Sequence, residues 1–284
     1  MWANAHQMQS EAGYPQTVNN SQANPEIRAY RGFMEKALRS LLDWYAQAGV
    51  EVPDLPLERS VRRIQTKPSA PPPPAPSKPQ EIKTDDPAPI AAACQTLSDL
   101  KTALDRFDAG PLSDGARQAV LSRGNPASEL MIIGEAPGRD EDREGKPFVG
   151  RSGQLLDKML AAIGLKSGFG EDDDVYIGNV CFWRPPNNRK PDPEELELCR
   201  PFVNRHIQLA QPKVILLTGG TAMQTMTGVS GIMKNRGQWQ TINVGSGDIP
   251  ALPIYHPAFL LRQPALKAEA WQDLLTLRQQ LTSL

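Results

Sequence analysis

Three polar residues of different chemistry each follow a short apolar run. Glu135 lies in Gly134-Glu135-Ala136-Pro137-Gly138, after Leu130–Ile133. Asn179 follows Val175–Ile177, and His256 follows Ala251–Tyr255 in His256-Pro257-Ala258. A fourth run, Val214–Leu217, ends in Thr218-Gly219-Gly220. A carboxylate can orient or deprotonate a water. A carboxamide presents one acceptor and two donors, which suits reading a flat heterocycle. An imidazole N–H can donate to an oxygen on which negative charge develops. Phe148, in Gly145-Lys146-Pro147-Phe148-Val149-Gly150, sits in a loop too rich in Gly and Pro to be core, and can stack on a ring. Each also has a plainer reading: a solvated turn glutamate, a turn-capping asparagine, a structural histidine, a folded-back aromatic anchor.

These residues need a scaffold that gathers them. The four apolar runs are strand-length and read as buried on both faces. Between them lie helical patterns, one with Leu155, Leu156, Met159, Leu160 and Ile163, another with Leu196, Cys199, Val203, Ile207 and Ala210. A last helix is expected from about Ala265 to Leu281. Strands alternating with helices imply a three-layer α/β/α sandwich around a central four-stranded parallel sheet. In such sheets ligands bind beyond the carboxyl ends of the strands, where these residues fall.

The remaining chain divides by composition. Residues 1–24 are polar and expected to be disordered. Residues 25–50 carry an amphipathic helix, with Ile27, Tyr30, Met34, Leu38, Leu41 and Tyr45 on one face. Residues 51–89 form a linker whose segment 68–79, PSAPPPPAPSKP, suits neither helix nor sheet. The compact domain is expected over 90–284. No apolar stretch approaches a membrane span and no signal pattern opens the chain, so the expectation is a cytoplasmic protein, a monomer without a membrane partner. The three cysteines, Cys94, Cys181 and Cys199, are widely spaced, which argues against a disulfide framework or a self-contained zinc site. The formal net charge is -1. Between Val175 and Gln240, however, eight Arg or Lys stand against four Asp or Glu, and such local excess is what phosphate contact uses.

Four segments carry a family resemblance. GEAPGRDEDREGKPFVGRSGQLLDKML (134–160), NVCFWRPPNNRKPDPEE (179–195), GIMKNRGQW (231–239) and YHPAFLLR (255–262) are similar, in this order, to the signatures of family 4 uracil-DNA glycosylases. The match covers about Leu97 to Leu281. It implies a DNA-repair enzyme of the bacterial cytoplasm and nucleoid that flips uracil out of DNA and hydrolyses its N-glycosidic bond, leaving an abasic site. Asn179 would pair with N3–H and O4, a pattern that cytosine reverses. Phe148 would stack on the ring. Backbone N–H groups around Glu135 and Ala136 would bind a pyrimidine carbonyl, and His256 would donate to O2. Glu135 would position or activate water, or stabilise positive charge on the sugar. A flipped base leaves a gap, into which Phe259, Leu260 and Leu261 could wedge, with Arg262 on phosphate. Arg184, Arg189, Lys190, Lys234 and Arg236 are further phosphate candidates.

The resemblance also implies a 4Fe–4S cluster held by four cysteines, and this chain departs from it. Phe107, Gly110 and Trp183 stand at three ligand positions, and Cys199 alone remains. A cubane cluster needs about four thiolates. The expectation is therefore an enzyme without cluster or other metal. Other readings are a related lesion-specific glycosylase, a low-turnover uracil-DNA binding protein, and a flavodoxin-type nucleotide-binding module. Relatives that trap the lesion through a histidine carry it in the region equivalent to Gly231–Trp239, which has none here. The nucleotide-binding reading explains the Gly-rich turn but not Asn179, Phe148 and His256 together.

Overall fold

Each of the four apolar runs becomes a strand because its side chains can be buried on both faces of a sheet. A computed structural model describes residues 86–170 and 172–284. The helix expected near residues 25–50 and the linker segment 68–79 lie outside the described residues. In chain order the elements are α1 (Pro87–Ala93), α2 (Leu97–Arg106), α3 (Pro111–Asp114), β1 (Arg123–Gly124), β2 (Leu130–Gly134), α4 (Arg139–Glu144) and α5 (Arg151–Ala162). There follow β3 (Tyr176–Asn179), α6 (Pro193–Ala210), β4 (Val214–Thr218), α7 (Gly220–Thr227) and α8 (Ile232–Asn235). The chain ends with β5 (Gln240–Asn243), β6 (Asp248–Ile254), α9 (Pro257–Arg262) and α10 (Lys267–Thr282). Helix α1 begins at Pro87, within the segment expected to be linker.

The sheet order is β1-β3-β2-β4-β6-β5. The four expected strands, β2, β3, β4 and β6, are mutually parallel, as expected. The four-stranded count needs correction, because β1 and β5 add antiparallel edges. Those edges are hard to read from sequence. β1 has two residues, and in β5 only Ile242 is buried. Short, polar edge strands resist pairing with other chains.

Register and pleat build the layers. Met131 aligns with Tyr176 and Ile215, and Ile215 with Ala251; all four enter one apolar cluster with Leu100, Leu104, Phe202 and Val203. One residue out of phase, Ile132, Ile177, Leu216 and Leu252 are equally buried and face the other way. Right-handed crossovers place α6 on the first face and α5 on the second. α10 packs against α5 and β6, while α1 and α2 pack on α6. Burying one such Leu or Ile contributes about 1.5–3 kcal/mol. The chain runs outward from β2 to β3, then returns across β2 to β4. The crevice between the carboxyl ends of β2 and β4 is therefore the topological switch point.

The longest of these helices, α6, has well-marked ends. Asp192 and Glu195 form a capping box, Pro193 occupies the first turn, and Gln211 closes it in the left-handed region at φ 51. Among the described residues, no helix is long and apolar enough to cross a membrane.

Inside the first layer lies a polar exception. His206 is buried on α6, with Nε2 2.9 Å from the Tyr176 hydroxyl. That hydroxyl donates to Ser122 Oγ at 2.7 Å, so the imidazole N–H must be the donor to Tyr176. Burial lowers the His206 pKa from 6.5 to about 3. The unfolded chain therefore takes the proton first as pH falls. Stability is full above about pH 6.5 and declines toward pH 3, by at most ~1.4 kcal/mol per unit. Urea midpoints at about pH 7.5 and about pH 5 are expected to differ accordingly. In His206→Gln, which keeps a donor toward Tyr176, that pH dependence should flatten; an unchanged slope would assign the effect elsewhere.

Candidate active site

The first strand-to-helix turn is built around a missing side chain. A Cβ on Gly134 would lie 2.4 Å from Asn179 Oδ1 and 2.6 Å from the Phe148 ring. Gly134 is paired in register with Asn179, the last residue of β3. Only glycine lets the carboxamide and the aromatic ring converge on the end of β2. Asn179 is 3% exposed, yet its carboxamide has no partner among the described residues. Neither amide atom is among the fully buried unpartnered ones of the described residues, so both keep some access to solvent and can be reached by a ligand.

Phe148 takes φ 54, unusual for an aromatic residue, and is 5% exposed. Its carbonyl oxygen would be 1.7 Å from a Cβ at Gly153, so the first turn of α5 presses on the loop that bears it. The ring stacks on His256, with centroids 5.7 Å apart and planes inclined 28°. The loop aromatic expected from sequence is thus held in place from three sides.

His256 caps α9. Its Nδ1 accepts the Ala258 N–H at 3.1 Å. With that lone pair engaged, the neutral ring carries its proton on Nε2. Burial, and secondarily the positive charge of Arg262, lower its pKa from 6.5 to about 4. Near neutral pH the ring is therefore an uncharged, oriented N–H donor. The end of β4 passes beneath it through Gly219, at φ 94, whose Cβ would be 3.0 Å from that of His256.

Glu135 sits across the switch point from α7. Its Oε2 accepts a hydrogen bond from the Thr221 hydroxyl at 2.5 Å. Its main-chain oxygen accepts the Cys181 N–H at 3.1 Å. The N–H groups of Glu135 and Ala136 have no acceptor among the described residues, leaving two donors at the turn. Sequence reasoning stopped at Gly220 and missed Thr221. The usable signal was position: one residue farther along the turn that closes the switch point. A cavity of about 400 Å³ lies between α6 and α7, lined by Thr221 and by Lys190 of the rim but not by Glu135, Phe148, Asn179 or His256.

The rim differs in part from expectation. Arg184 donates to Asn188 Oδ1 at 2.6 Å, Arg189 makes a bidentate pair with Glu195, and Arg236 makes one with Asp273. These three guanidinium groups already have internal partners. Lys190, Lys234 and Arg262 are exposed and without ion pairs among the described residues. The apolar wedge also needs correction. Leu260 is fully buried, and Phe259 packs on Tyr255 with centroids 5.4 Å apart. Leu261, 38% exposed, is the side chain that faces out.

The residues at the implied cluster positions do not fit one. Phe107 lies 6.0 Å from Trp183 and 5.0 Å edge-on from Phe202, measured between ring centroids, inside the main apolar cluster. Cys181 and Cys199 are both buried and close enough for their thiols to interact. The Cys181 thiol donates to the Trp183 carbonyl at 3.3 Å, and the neighbouring thiol and burial push its pKa up. The third, Cys94, donates to Ile90 on α1. Among the described residues, no group of three or more Cys, His, Asp or Glu is arranged to hold a metal ion.

Comparison with known proteins adds an independent line. Residues 121–275 match the model of the uracil DNA glycosylase superfamily. The chain is 41% identical over 155 residues to a type-4 uracil-DNA glycosylase of Archaeoglobus fulgidus, covering 53% of this chain and 75% of that one. It is 38% identical over 167 residues to one of Sulfurisphaera tokodaii, covering 57% and 74%. It is 35% identical over 183 residues to one of Pyrobaculum aerophilum, covering 63% and 91%.

The Gly134 contact yields a direct test. Gly134→Ala forces Asn179 and Phe148 aside and should lower stability by about 1–3 kcal/mol, typical of overpacking. A urea midpoint equal to that of the parent protein would mean that the turn has room the structure does not show.

Proposed function

The chain belongs to the uracil DNA glycosylase superfamily, and from that footing we propose that it removes uracil from DNA by hydrolysing the N-glycosidic bond. The observation that carries this reading is the unpartnered Asn179 carboxamide beside Phe148, with the His256 N–H in reach of the same space. A flat, polar, uncharged ring fits such a slot.

In this reading the strand opens and uracil turns into the slot. Phe148 stacks on it; base–aromatic stacking contributes about 1–3 kcal/mol. Asn179 accepts N3–H through Oδ1 and donates to O4 through Nδ2. Cytosine offers the opposite pattern and would leave two buried groups mispaired, each costing about 1–3 kcal/mol. The N–H groups of Glu135 and Ala136 are free to hold a carbonyl of the same ring. As the bond to the sugar lengthens, negative charge grows on O2, and the neutral His256 donates Nε2–H to it. No proton needs to be transferred from His256 for that stabilisation. Glu135 faces the sugar side, where its carboxylate orients the incoming water or balances positive charge on the deoxyribose.

Leu261 fills the gap left by the flipped base, and Lys190, Lys234 and Arg262 contact phosphates. The protein works without an iron–sulfur cluster, its place taken by Phe107, Trp183 and Phe202 in one apolar cluster with Cys181 and Cys199. Arg184, Arg189 and Arg236 shape the loops that bear the cationic rim.

Two outcomes follow. On a single-uracil oligonucleotide, followed by alkaline strand scission, Asn179→Ala should excise at least ~100-fold more slowly while still binding the DNA. Parent-like excision by that variant would reduce Asn179 to a turn cap, and no excision by the parent on single-stranded, U·G or U·A substrates would sink the enzymatic reading. Purified protein is expected to hold no stoichiometric iron or sulfide. About four irons per chain would overturn the cluster-free assignment.

A further inference from the structure

The ladder between β2 and β4 ends at the pair Ile133 and Leu217. Beyond that point the strands part into the switch-point crevice, and among the described residues no backbone hydrogen bond spans it. Two threonines from the β4 side bridge the gap. Thr218, fully buried, donates from Oγ1 to the Ile133 carbonyl at 3.2 Å. Thr221 donates to Glu135 Oε2 at 2.5 Å, across 86 residues of sequence. The first bridge ties down the backbone, the second the carboxylate.

Thr221 is free for this because of its place in the helix. It stands in the first turn of α7, whose cap, Gly219, has no side chain to offer. A hydroxyl in mid-helix often folds back onto the carbonyl four residues earlier. For Thr221 that residue is Leu217, which belongs to β4 rather than to a helical turn. The hydroxyl therefore reaches sideways. Its base is rigid: Ala222 and Met223, the next two residues, are fully buried, and Gly228 closes the helix at φ 74. The start of α7 also carries the positive end of the helix dipole, which favours a carboxylate held there.

We propose that Thr221 is a positioning residue for Glu135. The proposal rests on the reading of Glu135 given above. The terminal torsion of a glutamate is broad and roughly two-fold, so a free carboxylate samples many orientations. Among the described residues Thr221 is the sole side-chain partner of that carboxylate. With Oε2 engaged, the plane of the group is set and Oε1 is presented to the reacting side. Charge-assisted O–H to carboxylate bonds are short and among the stronger ones, which suits a fixed orientation. Thr221 itself touches neither base nor sugar. It acts by reducing the search over geometries before the bond breaks, an effect that appears in the chemical step and not in DNA binding.

The test is a set of single-turnover excision assays with uracil-containing DNA, together with DNA affinity. Thr221→Val removes the hydroxyl and keeps the shape. It should slow the chemical step about 10- to 100-fold while DNA affinity stays within about twofold, a change too small to matter on the tenfold scale. Thr221→Ser restores the donor and should recover most of the rate. In a Glu135→Ala background, Thr221→Val should cost nothing further, since the partner is gone. Parent-like chemistry in Thr221→Val overturns the proposal, and so does an equal loss with and without Glu135. If Glu135→Ala alone excises at the parent rate, the underlying reading of Glu135 fails and the proposal falls with it. A purely structural threonine would lower the rate in both backgrounds and gain little from serine.

Discussion

A side chain that is not there organises the site. Gly134 ends β2 in register with Asn179, and its missing Cβ is where the carboxamide and the Phe148 ring come together. Any larger residue would separate two groups that must touch opposite features of one small ring. The same economy recurs under His256, where Gly219 lets the end of β4 pass within contact distance, and beneath Phe148, where Gly153 lets α5 press on the loop. Three glycines thus convert a parallel sheet, whose strand ends are level by register, into a closed slot. The polar groups contribute chemistry, but close backbone approach gives them one shared position.

The corner beside the loop after β3 is held together by aromatic packing. Phe107 from the end of α2, Trp183 from the loop after β3 and Phe202 from α6 meet in one apolar cluster. These segments bracket the loop after Asn179, so their contact restrains one wall of the site. An apolar clamp needs no metal, but it works only if water is excluded, and all three side chains are buried.

Much of this was legible in the sequence, for a reason of scale. The four central strands are continuous apolar runs, because both faces are covered, and the residues that follow them fall on one rim by the topology of parallel sheets. Glu135, Asn179 and His256 could therefore be placed at the strand ends without coordinates. What escaped is what depends on long-range partners. β1 and β5 exist only because a neighbouring strand receives them, and their own sequences are short or polar. Arg184, Arg189 and Arg236 read as free cations until Asn188, Glu195 and Asp273 are seen beside them. Leu260 and Leu261 are adjacent in sequence and differ only in the turn of a helix, which buries one and exposes the other. Thr221 has only its position after β4 as a local signal; its meaning comes from a carboxylate 86 residues away.

The charge distribution sets how selectivity must arise. With a formal net charge of -1 and three of the candidate cations already paired, the rim offers few free charges for phosphate. Each phosphate contact adds sequence-independent affinity that salt screens away. A protein that relies on few of them holds undamaged DNA loosely and can leave it readily. In the proposed reading discrimination then falls to the slot, where the groups are held in place: a carboxamide without an internal partner, an imidazole held uncharged by burial, and a carboxylate tied at one oxygen. In a dry site such groups are worth more than on an open surface, and a mismatched base cannot borrow water to satisfy them. In the proposed reading, loose capture of the backbone and strict reading of the base follow from one arrangement.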